Sequence, residues 1–356
     1  MKKSKIVNCK SEIRGSVLIL VLWVLFALTT LTVAVGSHVS ATMTISERLW
    51  RITESRALAE AGAQQALMAA VVNTDTNSWD GVAEDGWNRD KELFFEREVG
   101  AGSCSVNYLT FSDRGTIVTN VGIVGEDGKL NINRIVEDKK TKQALENLIV
   151  LVGDVDSDTS KDIVTSIAAW IGEDEDEDEE LTDETNSDYY EQSSPISSDA
   201  MGEMKSVAEL RMVDGVDDDL YMLLLPYLTV YGAGIVNLNC ASAEVLNALA
   251  NACDSGKRES KVYRSLALNI VDFQKSGKIF DEAESSVIYK QLKEFTDLSA
   301  DERNVFRQMM GSVTIRSSAF RGISSGSGED GVRAEISVEF VCDSESKTFV
   351  YWHEIQ

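Results

Sequence analysis

Apolar and polar positions divide the chain into an apolar beginning, two strand-like regions and a long helical region between them. Residues 16–35 carry no charged side chain. A helix of about 20 residues spans a bilayer core of about 30 Å. The alternative, a cleaved secretory signal, has an apolar core of only about 7–15 residues. The pattern therefore predicts one membrane-spanning helix.

The helical pattern continues past the apolar run. No proline interrupts residues 36–72, and apolar side chains recur at a spacing of three or four residues. These positions are Ile45, Leu49, Ile52, Ala59, Ala63, Ala66 and Ala70. The spacing predicts a single helix over residues 16–73. Its stripe either lies along other helices or belongs to a solvated stalk.

Segments rich in Val, Phe, Tyr and Thr predict strands near both ends of the remaining chain. The early strands are Leu93–Val99, Cys104–Phe111 and Thr116–Ile123, and the late strands are Val313–Ala319, Arg333–Val341 and Thr348–His353. The Gly/Ser-rich segment Gly322–Gly331 predicts a flexible hairpin loop.

Helical periodicity dominates residues 137–311. The predicted helices are Lys139–Leu151, Ser160–Ile171 with Asp158 or Ser160 as its cap, Asp217–Tyr227, Ala241–Asn251 and Tyr263–Gln274. Two capping boxes, Ser206 to Glu209 and Ser299 to Glu302, mark further helix starts. Strands on both sides of a helical block imply an α+β fold in which a helical domain (137–311) is inserted between two parts of one sheet (74–136 and 312–356).

Charge narrows the set of partners. The chain of 356 residues has 34 basic and 59 acidic side chains, a net charge of −25. This field repels phosphates, so no nucleic acid partner is expected. Five basic residues precede the apolar run, and only Arg48 and Arg51 lie in the twenty residues after it. The positive-inside rule then keeps the amino terminus cytoplasmic and places the bulk of the chain outside, in the periplasm of a Gram-negative cell.

Residues 173–203 carry fourteen acidic side chains and no Lys or Arg. Repulsion between like charges predicts an extended loop, which is either solvated or neutralised by cations. Calcium, which prefers six to eight oxygen ligands, is the candidate cation. The segment Asp154, Asp156 and Asp158 matches only the first three ligands of an EF-hand, and it lacks the glycine and the closing glutamate.

Two short motifs point to other functions only weakly. Gly322, Ser324 and Gly326 fit the serine hydrolase pattern, but the chain has only two histidines, His38 and His353, and neither is well placed to act as a base. Residues 207–228 resemble a helix-hairpin-helix with its turn at Gly215. Acidic residues surround that turn, which favours packing over DNA binding. We therefore expect that the chain is not an enzyme.

Arg14 and Gly15, followed by the apolar run and its amphipathic continuation, resemble the start of type IV pilin-like proteins. The resemblance implies that residues 1–15 are a leader, which prepilin peptidase removes between Gly15 and Ser16, and that methylation follows. The fifth mature position is Leu20, where most such subunits have glutamate. Its absence is typical of the protein K family of type II secretion minor pseudopilins.

Further stretches are similar to that family, namely 126–133, 169–171, 189–190, 225–231, 236–246 and 317–320. Gly172 stands where the family commonly has an aspartate, and Cys240 where it has a helix-capping threonine. Family members bind calcium in the helical domain, and Asp174 matches a retained acidic position. The candidate ligands here are Asp174, Glu175, Asp176, Asp178 and Asp188.

Cys9 leaves with the implied leader, and four cysteines remain. Cys104 and Cys342 lie in predicted strands of one sheet and form the candidate disulfide. Cys240 and Cys253 flank a helix whose ends are about 15–20 Å apart, which is too far for a bridge unless the chain folds back.

The resemblance implies a pilin-like fold and a function in assembly. The chain is expected to cap the tip of the type II secretion pseudopilus and to help initiate its assembly. Expected partners are the I and J minor pseudopilins, the major pseudopilin, prepilin peptidase and the inner membrane. The alternative is a membrane-anchored periplasmic calcium-binding or interaction module without a fibre role.

Overall fold

One continuous helix forms the beginning of the described chain. The computed structural model describes residues 12–76, 79–81, 86–111, 116–172, 202–328 and 333–355. Helix α1, Glu12–Asp75, has 64 residues and is therefore about 96 Å long. It contains the predicted spanning segment together with its continuation.

The two halves of α1 have different surroundings. Ala59, Ala63, Ala66 and Ala70 of the predicted stripe are completely buried, whereas Ile45 and Leu49 are exposed. Apolar side chains from Val17 to Trp50 are exposed throughout. Only the second half of the stripe therefore packs on the rest of this chain.

The sheet beneath α1 has seven strands within the described residues, and every pair is antiparallel. They are β1 Arg97–Val99, β2 Gly102–Phe111, β3 Ile117–Val121, β4 Val124–Gly125, β9 Ala319–Ser327, β10 Arg333–Asp343 and β11 Thr348–Ile355. The main order is β1-β2-β9-β10-β11, while β3 pairs with β2 and β4 pairs with β9. Strand β9 is therefore central.

The prediction of a flexible loop at Gly322–Gly331 is wrong over its first part, because residues 322–327 belong to β9. Small side chains are needed there because α1 lies directly on this strand. A Cβ atom on Gly326 would clash with Leu58 Cβ and lie 2.9 Å from the Ser55 carbonyl oxygen. A Cβ atom on Gly62 would clash with Ser324 Oγ. The composition that suggests a loop is thus what close packing of helix on sheet requires.

The predicted strand Leu93–Val99 is also partly wrong. Residues Lys91–Phe94 form the short helix α2, whose start is capped by the Asp90 side chain accepting from Glu92 N–H. Phe94 is buried in the core between α1 and the sheet. Only Arg97–Val99 is extended as β1.

The inserted domain contains seven helices within its described residues. They are α3 Lys139–Gly153, α4 Ser157–Ile171, α5 Asp218–Leu224, α6 Ala243–Cys253, α7 Ser260–Lys275, α8 Ser285–Phe295 and α9 Ala300–Met309. Both predicted capping boxes are present. The prediction for the cap of α4 is wrong: Asp156 accepts from the Asp158 and Thr159 N–H groups. Helix α8 was not predicted.

Two short parallel strand pairs join the inserted domain to its flanks. Strand β5 Leu130–Asn131 pairs with β6 Leu228–Thr229, and β7 Val236–Asn237 pairs with β8 Val313–Thr314. The helical domain has its own large apolar core, separate from the smaller core under α1. The predicted α+β fold, with a long helix, an antiparallel sheet and a helical domain, is confirmed.

The candidate disulfide between Cys104 and Cys342 is wrong. Both cysteines lie in the sheet, but Cys104 is opposite Gly326 of β9 and Cys342 is opposite Phe320. Six residues of a strand separate those positions, about 20 Å, and Cα atoms joined by a disulfide lie within about 7 Å. The described cysteines Cys104, Cys240, Cys253 and Cys342 are all free.

Candidate functional site: an exposed helix and a polar junction

The implied cleavage site lies at the beginning of α1. Gly15 and Ser16 belong to its first helical turns, and Leu20 is exposed. Among the described residues, α1 is the one helix that is long and apolar enough to cross a membrane, judged by length and composition. This supports a single-pass anchor.

A second apolar stripe runs along α1 beyond the uncharged span. It consists of Val39, Met43, Trp50, Met68 and Val72, all exposed. At 100° per residue these five positions fall within a sector of roughly 60°, on the side opposite the buried alanines. Met43 has an exposed fraction of 67% and Trp50 of 71%. The folded chain covers one face of the second half of α1 and leaves the opposite face exposed.

Buried carboxylates mark the junction between the sheet and the helical domain. Glu126 and Asp127 lie in a short 3-10 helix, Glu126–Gly128, directly after β4. Asp80 lies in the connection after α1, and all three side chains are buried. Buried charges are costly unless they are paired or hydrogen-bonded, so their partners determine what the junction does.

Glu126 forms an ion-paired hub. Its Oε1 atom is 2.7 Å from Arg321 Nε and 3.0 Å from Lys129 Nζ, and its Oε2 accepts from Thr229 Oγ1 at 2.7 Å. Arg321 also bonds Glu339 Oε1 at 2.8 Å. Burial alone would raise the pKa of Glu126, but the charges of Lys129 and Arg321 outweigh it and lower the pKa to about 2. The hub therefore stays charged and ties β9 and β10 to β6.

Asp127 holds two backbone segments together. Its Oδ1 accepts from Ala233 N–H at 3.0 Å, and its Oδ2 accepts from Ser318 N–H at 2.7 Å and Ala319 N–H at 3.2 Å. Burial raises the pKa of Asp127 in spite of these bonds. The carboxyl group joins the loop after β6 to the start of β9.

Asp80 is the third buried carboxyl group at the junction. It accepts from Ser317 N–H at 2.6 Å, Ser317 Oγ at 2.8 Å and Asn237 Nδ2 at 3.1 Å. Burial, with a smaller contribution from nearby Asp127, raises the pKa of Asp80 to about 7. Sequence reasoning missed this residue, because a single aspartate after a helix carries no pattern.

The two departures from the family pattern, Gly172 and Cys240, differ in what they do at helix ends. Gly172 ends α4 in the left-handed conformation, with φ 94°, and donates to the Ala168 carbonyl, as glycine does at many helix ends. Cys240 does not cap the next helix. Ser242 does so, accepting from Val245 N–H.

The proposed calcium ligands Asp174, Glu175, Asp176, Asp178 and Asp188 lie outside the described residues, and so does most of the acidic segment. Asp154 ends α3 in the left-handed conformation and Asp156 caps α4, which is a helix junction and not an EF-hand loop. Among the described residues, no group of three or more potential ligands could hold a metal ion.

The remaining motifs are structural. Ser324 is buried in β9 beneath α1, so the strand-turn-helix context of a hydrolase nucleophile is missing there. Gly215 has φ 83° at the turn before α5, and a Cβ atom on it would lie 2.9 Å from Ile163 Cγ1. That hairpin packs against α4.

The fold defines the class of this protein, and the comparisons then show which known proteins the chain resembles. A long helix lying on an antiparallel sheet, with a helical domain inserted before the central strand, is a pilin-like fold. Residues 128–233 match the family model for protein K of the type II secretion system. The resemblance predicted from the sequence is confirmed.

A solved structure has the same fold. The chain is similar to one in the crystal structure of the GspK-GspI-GspJ complex from the enterotoxigenic Escherichia coli type 2 secretion system. The TM-score is 0.55 at 18% identity, over 90% of this chain and 99% of that chain. A comparison with curated proteins finds no match.

Proposed function

We propose that this chain is a minor pseudopilin that caps the tip of the type II secretion pseudopilus and helps to initiate its assembly. The observation that carries the proposal is the uncovered face of α1, which continues from the apolar span to Val72. Such a face suits side-by-side packing with helices of other subunits anchored in the same membrane. The protein K match and the pilin-like fold support the same function.

The proposed partners are the I and J minor pseudopilins, as in the similar solved complex, together with the major pseudopilin. Met43 and Trp50 are the main contacts beyond the membrane. Full burial of a large apolar side chain contributes about 1.5–3 kcal/mol. Two such contacts, added to the apolar span, stabilise a helix bundle without any charged pair.

The amino-terminal sequence suits a subunit at the tip of a fibre better than a subunit within the fibre. Prepilin peptidase would cut between Gly15 and Ser16, and the mature chain would then stay in the inner membrane with its bulk in the periplasm. The resemblance to pilin-like proteins implies that, in a fibre, a glutamate at the fifth mature position pairs with a neighbour's amino terminus. Leu20 cannot form that pair, and an unpaired buried charge is costly. The helical domain would also block addition of a subunit above it.

The test combines processing with co-purification in cells that contain the peptidase and the I and J subunits. The wild-type chain should lose about 15 residues, as the resemblance to pilin-like proteins implies, and should co-purify with I and J. Met43→Asp with Trp50→Asp should abolish co-purification, while Leu268→Asp, at an exposed apolar position on α7, should not. If Gly15→Ala remains unprocessed yet supports secretion, the chain is instead an anchored interaction module.

Calcium binding by the acidic segment 173–203 is a separate part of the proposal. Binding would neutralise the repelling carboxylates and stabilise the folded chain in proportion to ligand concentration. Calorimetry with millimolar calcium should give heat and a higher melting temperature. Asp174→Asn with Asp176→Asn should remove both effects, and their persistence would contradict this ligand set.

A further inference from the structure

Exposed apolar side chains are concentrated on one hairpin of the helical domain. Met212 ends the 3-10 helix Val207–Met212, and Met222 and Leu223 lie on α5. The exposed fractions are 60% for Met212 and 63% for Met222, and Leu223 and Leu225 are also exposed. Folding does not account for them, because α5 already buries Leu220 and Leu224 in the core.

The two limbs of this hairpin are fixed side by side. Arg211 Nη2 lies 2.6 Å from Asp218 Oδ1, and its guanidinium is 5.5 Å from the centre of the Tyr221 ring. The end of α3 adjoins them, since a Cβ atom on Gly153 would lie 2.7 Å from Leu220 Cδ1. Val150 and Leu151, on the same end of α3, are exposed as well.

We call the set Met212, Met222, Leu223, Leu225, Val150 and Leu151 the hairpin patch. The hairpin patch combines apolar side chains on α5 and on the end of α3 with two methionines. Methionine side chains adapt to irregular apolar surfaces. Exposed patches of this kind commonly mark protein interaction sites.

Charge limits what can occupy the hairpin patch. Residues 207–225 carry Glu209, Asp214, Asp217, Asp218 and Asp219 against the single base Arg211. Asp218 neutralises Arg211, so the rim is negative overall. An acidic rim attracts cations and repels phosphate, anionic lipid and acidic peptides.

We propose that the hairpin patch is a docking site for a basic, apolar segment of a partner protein. Leucine-like side chains of the partner cover the methionines, while its Lys or Arg side chains face the acidic rim. The site lies on the helical domain, away from the stripe on α1, so the inference does not depend on the proposed assembly function.

A direct test uses the full chain in nanodiscs of zwitterionic lipid, with empty nanodiscs as the baseline. The probe is a fluorescent peptide of about 14 residues made only of leucine and lysine, with a leucine–glutamate peptide of equal length as its counterpart. The leucine–lysine peptide should bind the chain, and Met222→Ser with Leu223→Ser should weaken binding at least about tenfold, because two apolar contacts are lost. Asp219→Lys should also weaken it, through the rim charge.

Leu268→Ser is the matched control, since Leu268 is an exposed leucine on α7 far along the chain from the hairpin; it should leave affinity unchanged. Equal binding of the leucine–glutamate peptide, or full affinity in the Met222/Leu223 variant, overturns the proposal. Melting temperatures close to the wild type establish that the variants are folded.

A second arm identifies the natural occupant in cells. A photo-crosslinking residue at position 222 should capture a partner peptide that is apolar and carries net positive charge, and the same residue at position 268 should not. Capture of an acidic peptide at position 222, or equal capture at both positions, contradicts the assignment.

Discussion

At the scale of single residues, the junction shows how partners decide the state of a buried carboxyl group. Glu126 has two cations within 3.0 Å and keeps its charge. Among the described residues, Asp80 accepts from the neutral donors Ser317 and Asn237, and these do not fully compensate its burial. The junction between the sheet and the helical domain thus contains one permanently charged carboxylate and one carboxyl group that titrates near neutral pH.

This difference predicts a pH dependence of stability. The pKa of Asp80 in the folded chain is about 7, above its ordinary value of 3.8. Between these values the folded chain holds a proton that the unfolded chain releases. The contribution of Asp80 to stability is therefore fully present below pH 3.8 and is lost as pH rises through about 7, by at most about 1.4 kcal/mol for each pH unit.

Asp80→Asn should flatten this decline, as measured by melting temperature between pH 5 and pH 8. Some slope should remain, because burial raises the pKa of Asp127 in the same direction. Asp297→Asn, at an exposed position, is the control and should leave the profile unchanged. A steeper decline in Asp80→Asn than in the wild type would show that Asp80 does not cause the slope.

The structural role of a single residue could be predicted where a short motif determines it. The Ser206 and Ser299 capping boxes form as expected, because each depends only on residues three positions apart. Asp80 and Arg321 could not be predicted, since their partners are 237 and 195 residues away in sequence. The cap of α4 is an intermediate case, with several aspartates available and Asp156 used.

At the scale of elements, the close approach of α1 to the sheet explains the composition of both. Alanine and glycine on the helix face glycine and serine on β9, and each small residue lets the backbones come nearer. The periodic alanines revealed the helix face, but the matching strand resembled a loop. Pattern rules describe strands as β-branched and aromatic, and β9 departs from them because a helix covers it so closely.

Gly326→Ala should therefore destabilise the chain by about 1–3 kcal/mol, the usual cost of overpacking. The added methyl group would clash with Leu58. Gly311→Ala is the matched control, because nothing lies within 4 Å of the position that its methyl group would take and its φ is negative. Thermal unfolding should separate the two variants, and equal melting temperatures would contradict the packing argument.

The register of the sheet makes a further prediction about the cysteines. Because Cys104 and Cys342 are offset along β9, the folded chain should contain no disulfide between them. Alkylation of the denatured, unreduced mature chain should modify Cys104, Cys240, Cys253 and Cys342. Peptide mapping that finds a Cys104–Cys342 bridge would show that the register is different.

At the scale of the whole molecule, the order of strand-like and helical segments was enough to predict one sheet with an inserted domain. The contacts that hold the two parts together could not be predicted in the same way. They depend on a 3-10 turn, two pairs of two-residue strands and three buried carboxylates, none of which has a periodic pattern.

The central position of β9 also constrains the order in which the chain can fold. Its neighbour β2 ends at Phe111, and β9 begins at Ala319, so their pairing must wait until the whole helical domain has been synthesised. Contacts between such distant segments form slowly. Until then, the alanine face of α1 lacks the two late strands β9 and β10 that pack on it, and a polypeptide truncated before Ala319 would have only β1 to β4 of the sheet. Completion of the sheet under α1 therefore depends on the segment from Ala319 onward, which follows the helical domain in the sequence.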